Sequence, residues 1–290
     1  MKKTAVYVVL TLLIASTLPL STQADASQDI PTNAAGTGVH NSLVAALNHA
    51  NLVATLQGPG PFTVFAPTDQ AFTDAGIDLA DFDTPEENQT LADILLYHVI
   101  SGSVPSADVK DGMLAEMVNG DKVKFGVNSG TVTIGAAQVT QPDVAASNGI
   151  IHVIDTVLIP PTDIPSTAQT TGIHNSLVAA VIQAELLTTL QGPGPFTVFA
   201  PTDQAFADAG IDLAALDTPS GKATLSDILL YHVVSAEVPA KNVTDCMLAD
   251  AANGQQLSFT VGDSVMVNDA NVTLTDVISS NGLILLSTRF

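Results

Sequence analysis

Cysteine is nearly absent from this chain of 290 residues, which contains a single one, Cys246. An intrachain disulfide is therefore impossible, and each folded unit must be held together by its hydrophobic core. In the internal repeat described below, Cys246 stands where the first copy has Gly112, so it is not part of the shared design. We expect its side chain to be buried as a small apolar group, with pairing to a second chain as the alternative.

Basic residues are also scarce: eight Lys and Arg stand against 29 Asp and Glu, which gives a formal net charge of −21. A surface with this charge repels nucleic acid and anionic lipid, so neither is an expected partner. Tryptophan is missing, and aromatic residues make up only 4% of the chain. Because pockets for apolar ligands usually have aromatic walls, this composition weakens the case for a carrier of such ligands.

Catalytic motifs are missing as well. The sequence contains no G-x-S-x-G elbow, no H-E-x-x-H zinc motif, no Gly-rich phosphate loop after a strand, and no reactive Cys with a matched His. We therefore expect a protein that is not an enzyme and that uses neither a cofactor nor a bound metal.

The first residues are typical of a secretory signal. Lys2 and Lys3 precede an apolar run from Ala5 to Leu18, and Ala24-Asp25-Ala26 resembles a cleavage site. The run is short for a membrane span, which needs about 20 residues. We expect residues 1–26 to be removed, leaving a mature chain without a transmembrane segment that is extracellular, on the cell surface or periplasmic. A retained N-terminal anchor is the alternative.

The chain repeats itself at domain length. The segment that begins HNSLVAA at His40 recurs at His174, an offset of 174 − 40 = 134, and about 45 of the next 59 positions are identical. This period is the size of a domain of about 100 to 150 residues. We predict a flexible leader at 27–37, a first domain at 38–161, a short proline-containing linker at 162–169, and a second domain at 170–290.

Each copy begins with helical spacing and ends with short strands. The aromatic and β-branched residues from Phe62 to Phe65 predict a buried strand. Thr84 and Glu87 form the capping box of a helix, and Thr68 caps a shorter one. Asn148-Gly149 favours a type I′ hairpin turn before a final apolar strand. Helices followed by strands predict an α+β fold rather than alternating βαβ units.

Three motifs resemble those of fasciclin (FAS1) domains. They are FTVFAPTDQAF at 62–72 and 196–206, Tyr-His at 97–98 and 231–232, and NGIIHVIDTVLIPP at 148–161. The resemblance covers almost all of the mature chain. It implies two tandem domains, each a twisted β-sandwich or wedge with several packed α-helices. It also implies a secreted or surface-bound adhesion or matrix module, of a kind that is not generally enzymatic.

The second copy departs from the third motif. Leu285 replaces His152, Thr288 replaces Asp155, and the closing Val-Leu-Ile-Pro-Pro is missing. We expect this block of the second domain to be degenerate or truncated, with a short last strand as one explanation.

Several shared polar residues are candidates for function. Tyr97, His98, Tyr231 and His232 form the candidate motif for adhesion or fold integrity, and we favour buried histidines that brace the fold over ligand contacts. His40 and His174 lie at helix starts, where a capping or surface role is expected. The acidic run of Asp78, Asp81, Asp83, Glu86 and Glu87 could bind calcium. The second copy keeps few of these carboxylates, which favours a solvated loop.

The sequence thus favours a secreted or surface-associated adhesion or extracellular-matrix module that makes noncovalent contacts. Its expected partners are a cell-surface or matrix protein, a polysaccharide, or another copy of itself. The alternative is a periplasmic or extracellular carrier of a small apolar ligand.

Overall fold

The protein is described by a computed structural model that covers residues 25–290. The predicted signal peptide at 1–26 lies outside this range except for its last two residues. Across the described part of the chain, no helix is long and apolar enough to cross a membrane.

The first domain places four short helices before its main helix and gathers most of its strands at the end. Its helices are α1 (Ile30–Thr37), α2 (Asn41–His49), α3 (Val53–Leu56), α4 (Asp69–Asp74) and α5 (Pro85–Leu96). Its strands are β1 (Phe62–Pro67), β2 (Val99–Ser101), β3 (Leu114–Glu116), β4 (Lys122–Asn128), β5 (Thr131–Ile134), β6 (Ala137–Ala146) and β7 (Gly149–Ile154).

The second domain repeats this order. Its helices are α6 (Ile164–Thr170), α7 (Asn175–Gln183), α8 (Leu187–Leu190), α9 (Asp203–Asp208) and α10 (Pro219–Tyr231). Its strands are β8 (Phe196–Pro201), β9 (Val233–Val234), β10 (Leu248–Asp250), β11 (Gln256–Val261), β12 (Val265–Val267), β13 (Ala270–Ser279) and β14 (Gly282–Ser287). The α+β prediction is confirmed.

Each domain has one seven-stranded sheet, ordered β2-β1-β7-β6-β5-β4-β3 in the first and β10-β11-β12-β13-β14-β8-β9 in the second. The first and last strands of a domain pair in parallel, from Phe62 opposite Gly149 to Pro67 opposite Ile154. The remaining strand pairs are antiparallel. The first and last strands of each domain therefore lie side by side in its sheet.

Strand β1 separates two hydrophobic clusters because successive side chains of a strand point to opposite faces. Val64 and Ala66 pack on the helical side with α2 and α5. Phe65 packs on the other side with Phe125 and Tyr97. The second domain divides its core in the same way around β8. Each domain therefore has a complete core of its own.

The predicted leader is helical, so the prediction that it is flexible is wrong, and the segment predicted as a linker is helical too. Helices α1 and α6 are each capped by an aspartate, Asp29 or Asp163, which accepts a hydrogen bond from a backbone N–H three residues on. Their first residues, Ile30 and Ile164, are buried at 2% and 3% exposure. The two segments are the N-terminal helices of their domains, because burial of these isoleucines stabilises a helix that the polar composition does not predict.

The predicted hairpin is formed by β6 and β7, but its turn is not type I′. That turn needs positive φ at both central residues, and neither Ser147 nor Asn148 has it. The side chain of Asn148 instead reaches back to Leu56 and Gly58, where its Nδ2 donates to both carbonyl oxygens at 2.7 and 3.1 Å. These contacts select the turn geometry.

The last strand of the second domain is not short. β14 has six residues, as β7 has, and pairs with β8 along its whole length. Beyond it, the Phe290 ring packs edge-on against Phe206, with centroids 4.3 Å apart, and against His232 at 5.0 Å. Phe290 thus contributes to the helical side of the core where the first copy has Val157.

The prediction of a buried Cys246 is also wrong. Its side chain is exposed and its φ is 61°, in the left-handed region. Gly112 occupies the same turn in the first domain with a φ of 71°. Both residues donate their N–H to the carbonyl of a buried phenylalanine, Phe259 or Phe125, at 2.9 Å. The turn fixes the backbone and directs the side chain outward.

Candidate functional site

The Tyr-His motif lies where helix α5 ends and strand β2 begins. Tyr97 is the C-terminal cap residue of α5, and its ring is buried in the strand-side cluster with an exposure of 6%. Its hydroxyl donates to the Lys122 carbonyl oxygen at 3.0 Å, which ties the helix end to β4. Burial, with a smaller contribution from Asp121, raises the pKa of Tyr97 to about 12. The phenol is therefore neutral and structural.

His98 joins the same helix end to the segment after β7. The Leu158 N–H donates to Nε2 at 2.9 Å, so Nε2 carries no proton in the neutral ring. Nδ1 then holds the proton and donates to the Ile94 carbonyl oxygen at 2.7 Å. The ring is 1% exposed, and this burial lowers its pKa to about 4. Both ring nitrogens are satisfied only when His98 is neutral.

The second copy keeps the motif, but the hydrogen bonds that its tyrosine and histidine donate are longer. The Tyr231 hydroxyl donates to the Gln256 carbonyl oxygen at 3.2 Å and accepts from Asn268 at 2.9 Å. His232 donates through Nδ1 to Ile228 at 2.9 Å and packs on Phe290. Burial lowers the pKa of His232. All four motif residues bind backbone of their own domain, an arrangement that supports bracing of the fold rather than direct contact with a partner.

His40 and His174 are buried, so the predicted surface or capping role is wrong. Each occupies the N-cap position of its helix, α2 or α7, without a capping side-chain bond. Nδ1 lies 2.7 Å from a threonine hydroxyl, Thr37 or Thr171. In residues 25–290, neither Nε2 has a hydrogen-bond partner, although a backbone group of Ala66 lies near the His40 ring and one of Ala200 near the His174 ring. Burial lowers the pKa of both rings.

An aspartate from another helix caps α2 in place of His40. Asp69 of α4 accepts from the Ser42 N–H at 2.7 Å and from the Asn41 side chain at 3.0 Å. Burial works to raise the pKa of Asp69, but these hydrogen bonds bring it below its ordinary value. Asp203 makes the same contacts with α7. The aspartate of the shared Thr-Asp motif therefore orients one helix on another.

His152 is specific to the first domain. Its Nδ1 accepts from the Asp143 N–H at 3.1 Å and its Nε2 donates to the Val104 carbonyl oxygen at 2.9 Å. The ring stacks on Phe65 with centroids 5.3 Å apart. Leu285 fills this position in the second domain and is fully buried. An apolar side chain can thus replace the histidine without loss of the strand.

The structure adds a shared residue that the sequence motifs left unassigned. Asn148 donates to Leu56 and Gly58, and its Oδ1 accepts from the Ile30 N–H at 3.0 Å. Asn281 makes the equivalent three bonds in the second domain, to Leu190, Gly192 and Ile164. One amide thereby joins the N-terminal helix, the loop before β1 and the β6–β7 turn. The recurrence of Asn-Gly in both copies was the available signal.

Two residues of the acidic run, Asp78 and Glu87, cap helix ends. Asp78 accepts from the Ala80 N–H at the start of a short 3-10 helix. The predicted capping box is present, since Thr84 and Glu87 exchange bonds at 3.0 and 3.2 Å. Within residues 25–290, no group of three or more His, Cys, Asp or Glu side chains is placed to hold a metal ion.

The two domains meet at an ion pair between Lys122 of β4 and Glu237, both partly buried. The pair closes one side of an open cleft of about 320 Å³, whose other walls are the Pro193–Pro195 loop and the β13–β14 turn. The equivalent residues of the other copies are Gln256 and Ser103, so this contact is not repeated.

Comparison with known proteins gives consistent matches. A family model for the fasciclin domain matches the chain twice, at residues 38–160 and 173–286. Protein sll1483 of Synechocystis sp. is 42% identical over 140 residues, which cover 47% of this chain and 76% of that protein. Periostin of Homo sapiens is 29% identical over 236 residues, covering 79% of this chain and 28% of its own length.

Transforming growth factor-beta-induced protein ig-h3 of Sus scrofa is 28% identical over 235 residues, covering 79% of this chain and 34% of its own. The chain thus spans about a third of these two vertebrate relatives. Among solved structures, a FAS1 domain pair from the insect cell adhesion molecule Fasciclin I matches 84% of this chain and 91% of that chain, with 22% identity and a TM-score of 0.39.

Proposed function

Because the chain belongs to the fasciclin domain family, matched over both of its repeats, we propose that it is a secreted or cell-surface-associated adhesion or matrix module. It acts through noncovalent contacts and is not an enzyme. The observation that carries the proposal is the presence of two complete domains, each with its own core, in one chain. Two linked weak sites raise avidity through effective concentration, without new chemistry.

In this proposal, exposed residues of each domain contact the partner, and the residues of the shared motifs do not. Tyr97, His98 and Thr63 are buried and bind their own domain. Their counterparts Tyr231, His232 and Thr197 also bind their own domain, with Thr197 buried and the other two partly buried. Exposed positions differ between the copies, as where Glu86 gives way to Ser220. Each domain therefore presents its own contact surface to a protein, a polysaccharide or a second copy of the chain.

The alternative, a carrier of a small apolar ligand, has less support. The apolar cavities beneath α1 and α6 measure about 10 and 20 Å³. Such volumes hold about one water molecule, whereas ligand pockets are of the order of several hundred Å³. The small size of these cavities therefore favours adhesion over ligand carriage.

Bead aggregation tests the proposal. The chain from Ser27 to Phe290, with a net charge of 6 − 28 = −22, is coated on beads and mixed with itself, with producer cells and with their extracted surface polysaccharide. Salt is varied, because charge repulsion at low ionic strength masks contact and is screened within about 8 Å at 0.15 M. Beads with an unrelated acidic protein of similar charge are the control.

The expected result is specific clumping that weakens at least several-fold when either domain, 27–161 or 162–290, is coated alone. Equal clumping by one-domain and two-domain beads contradicts the tandem mechanism. Absence of clumping with all three surfaces contradicts adhesion and shifts the proposal to the ligand carrier, for which the native preparation is then extracted and searched for bound apolar molecules.

A further inference from the structure

The N-terminal helices α1 and α6 contact their domains through the same side chains. Ile30, Pro31 and Ala34 are the buried apolar residues of α1, and Ile164, Pro165 and Ala168 are those of α6. Every member of the second set lies 134 positions after its counterpart in the first. Between these positions the two helices differ, for example at Asn33 and Thr167.

The grooves that receive the two helices are also alike. Six residues line the first groove and recur with the same identity 134 positions later: Leu43, Leu56, Val64, Leu95, His98 and Val99. A seventh position is Leu47 in one groove and Val181 in the other. An apolar groove that takes the same three side chains twice within one chain is suited to take them from another chain.

Backbone bonds fix the helix in each groove. The Ile30 N–H donates to Asn148 at 3.0 Å, and the Ser147 N–H donates to the Gln28 carbonyl oxygen at 2.8 Å. The second copy has the equivalent bonds, with Ile164 to Asn281 at 3.0 Å and Ser280 to Thr162 at 2.9 Å. All of these groups are present on any copy of the chain, so an incoming helix makes the same bonds.

A tight turn holds α1 on its own groove. Gly38 ends α1 with a φ of 71°, and only Gly38 to His40 separate α1 from α2. Helix α1 can reach another molecule only if this turn opens. A short connection between a domain and its first helix is an arrangement in which exchange between identical chains occurs.

We propose that two copies of this chain exchange α1, so that the helix of one occupies the α1 groove of the other. The exchange is reciprocal and gives a closed pair with equal contacts on both sides. It rests on the proposed adhesion function and deepens it by naming a second copy of the chain as a partner. Chains attached to two surfaces are thereby joined without a new interface.

Disulfide trapping tests the exchange directly. In a Cys246→Ser background, one batch carries Ala34→Cys and a second carries Leu47→Cys, two positions that line the same cavity. The batches are mixed, incubated and oxidised. Exchange gives a disulfide-linked pair of one chain from each batch. Thr32→Cys, on the exposed side of α1, replaces Ala34→Cys as the control and gives none. If no linked pair forms with Ala34→Cys, or if Thr32→Cys forms it equally, the proposal is overturned.

The turn gives a second test that leaves the groove intact. Gly38→Ala has room for its Cβ but disfavours the left-handed turn, so it favours the open form. We expect the dimer association constant, from light scattering across a concentration series, to rise at least about tenfold, because both turns of a pair are relieved. Gly76→Ala is the matched control, with a φ of 64° and equal space, and leaves the constant unchanged. An unchanged constant for Gly38→Ala overturns the exchange.

The failure of this proposal is distinguishable from failure of adhesion. If beads clump but neither trapping nor the Gly38→Ala effect is seen, adhesion stands and another surface carries it. If trapping succeeds while beads do not clump, the exchange occurs and the proposed function fails.

Discussion

At the scale of single residues, buried His98 links the stability of the first domain to pH. Four of the six, His40, His98, His152 and His174, are buried. For His98 the folded pKa is about 4, while an unperturbed histidine titrates near about 6.5. Below about pH 6.5 the His98 ring takes up a proton in the unfolded chain but not in the folded one. The contribution of neutral His98 to the free energy of unfolding is therefore fully present above this pH and is lost as the pH falls towards 4.

His98→Gln tests this linkage. The variant loses the bonds to Ile94 and Leu158 and is less stable at pH 7.5, but it has no ring to protonate. Between pH 7 and pH 4 the first domain of the wild type should lose about 3 kcal/mol more than that of the variant. Urea unfolding followed by circular dichroism at several pH values measures both slopes. Parallel slopes would show that His98 does not set the acid response.

Cys246 offers a test of backbone conformation. A non-glycine residue in the left-handed region costs about 1–2 kcal/mol, partly offset by the greater freedom of glycine when unfolded. We expect Cys246→Gly to stabilise the second domain by about 1 kcal/mol in urea unfolding. The matched change Gly112→Ala, with no atom within 4 Å of the new Cβ, should destabilise the first domain by a similar amount. Destabilisation by Cys246→Gly would contradict this account.

At the scale of helices and strands, the sequence predicts features that depend on neighbouring residues. It does not predict the contacts between distant elements. Thr84 and Glu87 form the predicted capping box because the box depends on residues three positions apart. Helix α1 was missed because its residues are small and polar, and its stability comes from the burial of Ile30 and the bond to Asn148, which is 118 positions away. The burial of His40 was missed for the same reason, since Asp69 supplies the cap from another helix.

Substitution of Asn148 tests how much its side-chain hydrogen bonds between these elements contribute to the stability of the first domain. Asn148→Ala removes two donors to the loop before β1 and the acceptor for α1. We expect a loss of about 2–4 kcal/mol from the first domain, because three partly buried backbone groups lose their partner.

Asn281→Ala should cost the second domain the same. Asn148→Asp should cost at least as much as Asn148→Ala, because its second carboxylate oxygen faces the carbonyl oxygens of Leu56 and Gly58 and cannot donate to them. Unfolding in urea measures all three variants. A much smaller loss for Asn148→Asp than for Asn148→Ala would contradict a role for the two donated bonds.

At the scale of the whole molecule, the domains are separate cores joined by few contacts. The Lys122–Glu237 pair is partly exposed, so its contribution to stability is small, about 0–1 kcal/mol. The sequence could not predict it, because Gln256 and Ser103 take these places in the other copies and no local pattern links the two residues.

Lys122→Glu should therefore leave the unfolding midpoint of each domain nearly unchanged while it widens the distribution of distances between the domains. Small-angle X-ray scattering measures that distribution. Adding Glu237→Lys to the same chain restores the attraction and should restore the narrow distribution. If the single variant scatters as the wild type does, the ion pair does not hold the domains together.

Strands β1 and β8 have the same sequence, FTVFAP, and each needs a parallel partner that comes late in its own domain. During synthesis, β7 is made before β8 and β14, so the partner of β1 is available before any competing strand exists. A denatured full-length chain offers both candidates at once, and a wrong pairing joins one domain's first strand to the other's last. The order of translation thus supplies information about pairing that the amino-acid sequence of the two strands does not contain.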